Sequence, residues 1–87
     1  MIKKDENWKV YLVKCTDNSL YCGIAKDVAS RIEKHNSGKG AKYTRSRLPV
    51  ELVVVSSEMS KSEALKFEHA IKKQPPGDKI KALKERA

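Results

Sequence analysis

The chain has no long run of hydrophobic residues, and so its sequence predicts no membrane-spanning helix. No stretch approaches the roughly 18 apolar residues that such a helix needs, although 39% of the 87 residues are apolar. The charged residues 1–6 also lack the apolar centre of a secretory signal peptide. From these absences we expect a soluble, cytoplasmic protein without a membrane partner.

Cysteine and large aromatic residues are scarce. The two cysteines, Cys15 and Cys22, are too few and wrongly spaced for a structural zinc site. We expect both to be small buried residues in a reducing cytosol, and a disulfide across the intervening hairpin is the alternative. One Trp, one Phe and three Tyr provide for one small core, which predicts a single domain over residues 1–87.

Acidic residues are absent from one long internal segment. Residues 34–47 contain five Lys or Arg, one His and no Asp or Glu, and the whole chain has a net charge of +8. Such a basic segment is typical of nucleic-acid binding, particularly since Tyr43 supplies a ring that can stack on a base or sugar. A basic protein with a well-solvated surface is the alternative.

The predicted elements are two strands, a helix, a strand and a helix, followed by a short C-terminal helix. Residues 9–15 and 20–24 flank an Asp/Asn-containing connection, which predicts a β-hairpin. Asp27 is positioned to cap a helix that ends near His35, and a basic loop follows. Residues 50–55 form the clearest strand, an apolar run bounded by turn residues.

The C-terminal half is predicted to be helical. Ser60 and Glu63 have the spacing of a capping box and open a helix to about Gln74, where two prolines end it. Asp78 is expected to cap a short basic helix through Arg86. This ββαβα order plus a terminal helix predicts an α+β fold, with a small three-stranded, mostly antiparallel sheet flanked by helices.

The first helix carries two polar residues near its apolar side. Val28, Ile32 and His35 share one face, so we expect Arg31 and His35 along the border where the helix meets the sheet. Taken alone, Arg31 is typical of a solvated surface arginine. His35 alone is typical of a residue near a helix C-terminus, where a positive charge interacts favourably with the helix dipole.

The second helix places a carboxylate within its apolar stripe. The predicted stripe consists of Ala64, Leu65, Phe67, Glu68 and Ile71. An unpaired buried charge is costly, so Glu68 needs a partner. That partner is either a salt bridge to Arg31 or a lysine, or a divalent metal, since Mg²⁺ prefers hard oxygen ligands.

Two tyrosines on the hairpin complete a set of residues with a common order. They lie in Val10-Tyr11-Leu12 and in Tyr21-Cys22-Gly23, and a tyrosine in a strand usually serves packing. Arg31, His35 and Glu68 follow them. Together these five residues in this order resemble the GIY-YIG nuclease domain.

The resemblance covers residues 8–74 and leaves residues 78–86 as a basic helical extension. Two further segments narrow the resemblance to particular branches of the family: residues 35–44 and Leu48-Pro49-Val50. They are similar to the small single-domain bacterial branch of uncharacterised GIY-YIG proteins, and to the catalytic domain of structure-specific Slx1-type junction nucleases.

The resemblance implies a metal-dependent DNA endonuclease that hydrolyses phosphodiester bonds in DNA repair or recombination. It implies that Glu68 holds one divalent ion, Mg²⁺ or Mn²⁺, and that Arg31 holds the phosphate. Tyr11 or Tyr21 would help take a proton from the attacking water, which requires a phenol acidified by nearby cations. His35 would orient or assist one of these tyrosines.

The resemblance also implies where DNA binds. The expected contacts are Lys39, Lys42, Tyr43, Arg45 and Arg47. Gly23 would let the strand end turn tightly beside the site. The expected substrate is DNA recognised by shape, such as branches, flaps or single strands, without a small-molecule cofactor. The oligomeric state does not follow from the sequence.

The sequence departs from the family pattern at three points, of which the first keeps its tyrosine and is discounted, and the other two predict slow or substrate-restricted cleavage. The first motif reads Lys9-Val10-Tyr11, without its usual glycine. Ile24 stands where some relatives carry a lysine that depresses a tyrosine pKa, and no asparagine occurs after Asn36. The alternatives are a non-catalytic nucleic-acid-binding module on a GIY-YIG fold and a protein-interaction adaptor that uses the same scaffold.

Overall fold

The computed structural model describes residues 6–87, and its elements follow the predicted order with one addition. They are β1 Lys9–Lys14, β2 Leu20–Ala25, α1 Val28–Asn36, α2 Lys42–Arg45, β3 Glu51–Val55, α3 Lys61–Lys72 and α4 Pro76–Lys84. The α+β class and the ββαβα order with a C-terminal helix are confirmed. The absence of a signal peptide was predicted from residues 1–6, most of which lie outside the described residues.

The three strands form one antiparallel sheet in the order β2-β1-β3, with β1 at its centre. Successive residues of a strand face opposite sides of the sheet. Val10 and Leu12 therefore pack with Cys22 on the side covered by α3 and α4, whereas Tyr11 and Val13 face α1. The central strand thus contributes to two small cores, one on each face of the sheet.

Two predicted helix caps are present and fix where α1 and α3 begin. The Asp27 carboxylate accepts a hydrogen bond from the backbone N–H of Ser30. The Ser60 hydroxyl accepts from the N–H of Glu63, while the Glu63 carboxylate accepts from the N–H of Ser60. These caps set the positions from which the candidate residues of the two helices project.

Three local predictions are wrong. The basic loop contains a short helix, α2. The last helix begins at Pro76 with Pro75 at the N-cap position, because proline suits a first helical turn, and Asp78 lies inside that turn. Leu65 is 47% exposed and so does not belong to the buried stripe of α3.

The structure also answers the questions raised by the two cysteines and by the lack of long hydrophobic runs. Cys15 and Cys22 are both buried and both free, so the disulfide alternative is not realised. Among the helices in residues 6–87, none is long and apolar enough to cross a membrane.

Candidate active site

Tyr11 lies flat across the sheet because the residue opposite has no side chain. It pairs with Gly23 of β2, and a Cβ atom at Gly23 would lie 2.5 Å from the phenol oxygen and 2.7 Å from Cζ. Gly23 lies within the strand, so its predicted role in a tight turn at the strand end is wrong. It instead makes the space in which the Tyr11 phenol is buried.

His35 is buried completely and does not lie at the border that the helix pattern predicted. Its Nε2 is 2.8 Å from the phenol oxygen of Tyr11. Its Nδ1 accepts a hydrogen bond from the N–H of Ala41, with a distance of 3.3 Å. A backbone N–H can only donate, so a neutral ring must carry its proton on Nε2 and donate it to Tyr11. Burial, and secondly the charge of Arg31, lowers the pKa of His35 and favours this neutral ring.

The basic segment folds around this imidazole. Gly40 is buried, and a Cβ atom at that position would overlap the His35 ring. The Thr44 hydroxyl is also buried; it lies 3.0 Å from His35 Nδ1 and 2.9 Å from the carbonyl oxygen of Ala41, so it shares its proton between two acceptors. The sequence analysis missed Gly40 and Thr44. Nothing in the sequence distinguishes them from the other small residues of the basic segment, such as Gly38 and Ser46.

Arg31 is half-buried on α1 and affects the pKa of the Tyr11 phenol. Burial raises the pKa of Tyr11 to about 12, while the hydrogen bond and the charge of Arg31 act in the lowering direction. Burial outweighs the cation, so the Tyr11 phenol is protonated at neutral pH, and the choice between Tyr11 and Tyr21 as the base stays a prediction. Because His35 donates to the phenol oxygen, the Tyr11 proton remains available for a bound molecule.

Tyr21 lies on the same face of the sheet as Tyr11, and its ring contacts the rings of both His35 and Tyr43. Its ring makes an edge contact with His35, with centroids 5.4 Å apart and planes at 70°. It stacks on Tyr43, with centroids 5.8 Å apart and planes at 24°. Tyr43 remains 40% exposed, and the guanidinium of Arg47 lies 4.0 Å from its ring centroid.

The predicted DNA-binding cations differ in how they are held. Arg47 forms an ion pair with Asp17, with Nε 3.0 Å from Oδ2, and donates to a backbone carbonyl at 2.7 Å. Arg45 also donates to a backbone carbonyl, at 3.4 Å. Lys39 and Lys42 are exposed. The two lysines therefore present their charge to solvent, whereas Arg47 chiefly braces the segment against the hairpin.

Glu68 lies on α3 beside strand β2. Its side chain is 18% exposed, and Oε2 is 3.3 Å from Nζ of Lys72, so the salt bridge is to a lysine and not to Arg31. The same Nζ lies 6.0 Å from the ring centroid of Tyr21. The charges of Glu68 and Lys72 both act on the buried thiol of Cys22, the residue after Tyr21. The ammonium of Lys72 thus lies close both to Glu68 and to the ring of Tyr21.

The donor set available to a metal ion is small. In the part of the chain that the structure describes, no three His, Cys, Asp or Glu side chains converge on one point. An ion here would have Glu68 as its protein ligand, with water and substrate oxygens for the remaining positions. This set fits Mg²⁺, which keeps several waters and commonly binds one or two carboxylates together with substrate phosphates.

A sequence model described as the GIY-YIG catalytic domain matches residues 7–76. The chain belongs to the GIY-YIG family. A UPF0213 protein of Staphylococcus epidermidis is 57% identical over 76 residues, which cover 87% of this chain and 93% of that protein. A UPF0213 protein of Staphylococcus aureus strain Mu50 is 56% identical over 77 residues, covering 88% and 94%.

Two solved structures of similar proteins share the GIY-YIG fold of this chain. The solution structure of a UPF0213 protein from Bacillus halodurans has a TM-score of 0.54 and 42% identity, covering 91% of this chain and 84% of that one. A protein from E. faecalis has a TM-score of 0.61 and 37% identity, covering 98% and 90%. Membership indicates a nuclease-type domain that acts on DNA, while the UPF0213 names state no specific activity.

Proposed function

We propose that this GIY-YIG protein is a metal-dependent DNA endonuclease that hydrolyses phosphodiester bonds. It would select DNA by shape, such as branches, flaps or single strands, and act in the cytoplasm in DNA repair or recombination. One observation carries the proposal. The phenol of Tyr11 hydrogen-bonds to the buried ring of His35, which also contacts the ring of Tyr21, and the charge of Arg31 acts on the same phenol.

The protein's own groups suggest a division of labour. The Arg31 guanidinium would bind the scissile phosphate and offset the charge that grows on it. Tyr11 retains its proton, so it would donate to a phosphate oxygen and fix its orientation. This leaves Tyr21 as the phenol for taking a proton from the attacking water. His35 is the positioning residue that holds both rings.

Metal and DNA would be bound on either side of these tyrosines. A divalent ion held by Glu68, Mg²⁺ or Mn²⁺, would supply Lewis-acid stabilisation of charge on the leaving oxygen. Lys39 and Lys42 would bind flanking phosphates, and the exposed ring of Tyr43 would contact a base or sugar. Arg45 and Arg47 would add to the positive field of the same segment.

A cleavage assay tests the proposal on labelled single-stranded, duplex, flap and branched DNAs with Mg²⁺ or Mn²⁺. We expect the wild type to cut at least one substrate. Glu68→Ala and Arg31→Ala should each lose about 100-fold or more, the scale of losing a major electrostatic group. Glu85→Ala removes a carboxylate from the exposed end of α4 and should cut like the wild type. DNA binding in EDTA should persist in all variants.

Two outcomes would replace this function with another. If the wild type binds DNA but cuts no substrate with either metal, the protein is a nucleic-acid-binding module. If it shows no salt-dependent affinity for any of the DNAs, it is an interaction adaptor on a nuclease scaffold.

A further inference from the structure

We propose that Lys72 is the cation that Glu68 exchanges for the divalent ion, and that the released ammonium then binds a substrate phosphate beside Tyr21. The inference rests on the proposed function, because it concerns the residue that would hold the metal there. It assigns a positioning role to a lysine that neither the sequence pattern nor the family resemblance singled out.

The first support is the difference in exposure between the paired side chains of Glu68 and Lys72. Glu68 is 18% exposed and Lys72 is 51% exposed, and their charged atoms are 3.3 Å apart on consecutive turns of α3. The carboxylate is thus the more buried partner and the ammonium the more exposed one. A metal ion that binds this carboxylate oxygen must displace Lys72 from it. The two cations compete for the same oxygen atoms.

The second support is the weakness of this pair relative to what would replace it. A glutamate and a lysine four residues apart on a helix attract each other only modestly when the lysine is solvated. A divalent ion brings twice the charge to the same carboxylate. Exchange is therefore favoured once the ion is present, and the lysine lowers metal affinity only by a small factor.

The third support is the place that the ammonium keeps after release. Nζ of Lys72 lies 6.0 Å from the ring centroid of Tyr21, so the long side chain remains at the site when it leaves Glu68. Lys79 of α4 also acts electrostatically at this edge, since its charge, like that of Lys72, reaches the thiol of Cys22. The Lys72 ammonium can therefore bind a phosphate at the edge of β2 once the Glu68 carboxylate holds the metal ion.

Manganese titration tests the exchange without any cleavage. Paramagnetic broadening of amide signals near Glu68 would be followed by NMR in the wild type, Lys72→Met, Lys73→Met and Glu68→Ala. Lys73→Met is the matched control, because it removes the same charge one residue away at an exposed position. Lys72→Met should bind Mn²⁺ about 1.5- to 2.5-fold more tightly than Lys73→Met, the size expected for loss of one such ion pair.

DNA binding tests the second half of the inference. Affinity for one labelled DNA would be measured in EDTA and in Ca²⁺, which can fill an oxygen site. In EDTA, Lys72→Met and Lys73→Met should weaken binding equally. In Ca²⁺, Lys72→Met should be weaker by a further factor of about three to ten, the scale of one charged contact.

The outcomes separate this inference from the proposed function. If Glu68→Ala loses Mn²⁺ binding while Lys72→Met and Lys73→Met bind it equally, the exchange is overturned and the metal ligand stands. If the two lysine variants respond equally to Ca²⁺, the released ammonium does not bind phosphate. If Glu68→Ala retains the broadening, or no protein shows it, the metal assignment of the proposed function fails and the exchange fails with it.

Discussion

Two glycines shape the candidate site as much as its candidate catalytic side chains do. Gly23 faces the phenol of Tyr11, and Gly40 faces the imidazole of His35, each at a distance that leaves no space for a Cβ atom. The rings of Tyr11 and His35, which hydrogen-bond to each other, thus each pack directly against a glycine. A methyl group at either position would push one ring away from the other.

Gly23→Ala tests this packing directly. The added carbon must displace the buried Tyr11 ring, so we expect a loss of about 1–3 kcal/mol in unfolding free energy, as for overpacked cores. The Tyr11–His35 hydrogen bond should break, and any cleavage should fall with it. Urea denaturation measures the stability. Gly77→Ala is the control: nothing lies within 4 Å of a Cβ there, and a helical alanine stabilises by up to about 1 kcal/mol. A Gly23→Ala protein as stable and active as the wild type would contradict the account.

His35 makes stability depend on pH with a definite sign. Its pKa is lowered from 6.5 by burial and then by Arg31, so below pH 6.5 the unfolded chain takes up a proton more readily than the folded one. The unfolding free energy should therefore fall as the pH drops below about 6.5, and continue to fall until the pKa of folded His35 is passed. Above that window His35 is neutral in both states and contributes no pH dependence.

Urea unfolding at pH 7.5, 6.5, 5.5 and 5.0 measures this dependence. His35→Gln should show a smaller decline across the window than the wild type. His69→Gln, which changes an exposed histidine of α3, should keep the decline of the wild type. Equal declines in the wild type and His35→Gln would show that another group is responsible.

At the scale of whole elements, the sequence predicted what local patterns determine. The hairpin, the Asp27 cap and the Ser60–Glu63 capping box each depend on residues within a few positions, and all three are present. The start of α4 depends on local residues too. It was misplaced because Pro76 was treated only as the end of α3 and not also as a first helical residue.

Tertiary contacts account for the rest. α2 is a single turn in a charged segment, and it forms where Thr44 and Ala41 wrap the imidazole of His35. No periodicity in residues 34–47 could indicate this. The helix pattern likewise placed His35 at a border, although the covering segment buries it. The candidate residues could therefore be chosen from the sequence, whereas the hydrogen bonds that orient them could not.

At the scale of the whole molecule, positive charge is concentrated in two separate regions of the chain. The net charge is +8, and exposed lysines occur in the basic segment and on α4. Net charge alone would attract DNA to either region. Binding at the candidate site instead requires that the basic segment beside Tyr21 and Tyr43 makes the phosphate contacts.

Two matched double variants separate these possibilities. Lys39→Ala with Lys42→Ala, and Lys81→Ala with Lys84→Ala, each remove two exposed charges, from the basic segment and from α4 respectively. Each phosphate contact contributes close to one unit to the slope of log affinity against log salt, so the first pair should reduce that slope by about two. The second pair should leave it near the wild-type value, because on this hypothesis the phosphate contacts come from the basic segment and not from α4. Fluorescence anisotropy with a labelled DNA between about 50 and 200 mM salt resolves such a difference. If both pairs reduce the slope equally, general charge holds the DNA and the basic segment has no special part in binding.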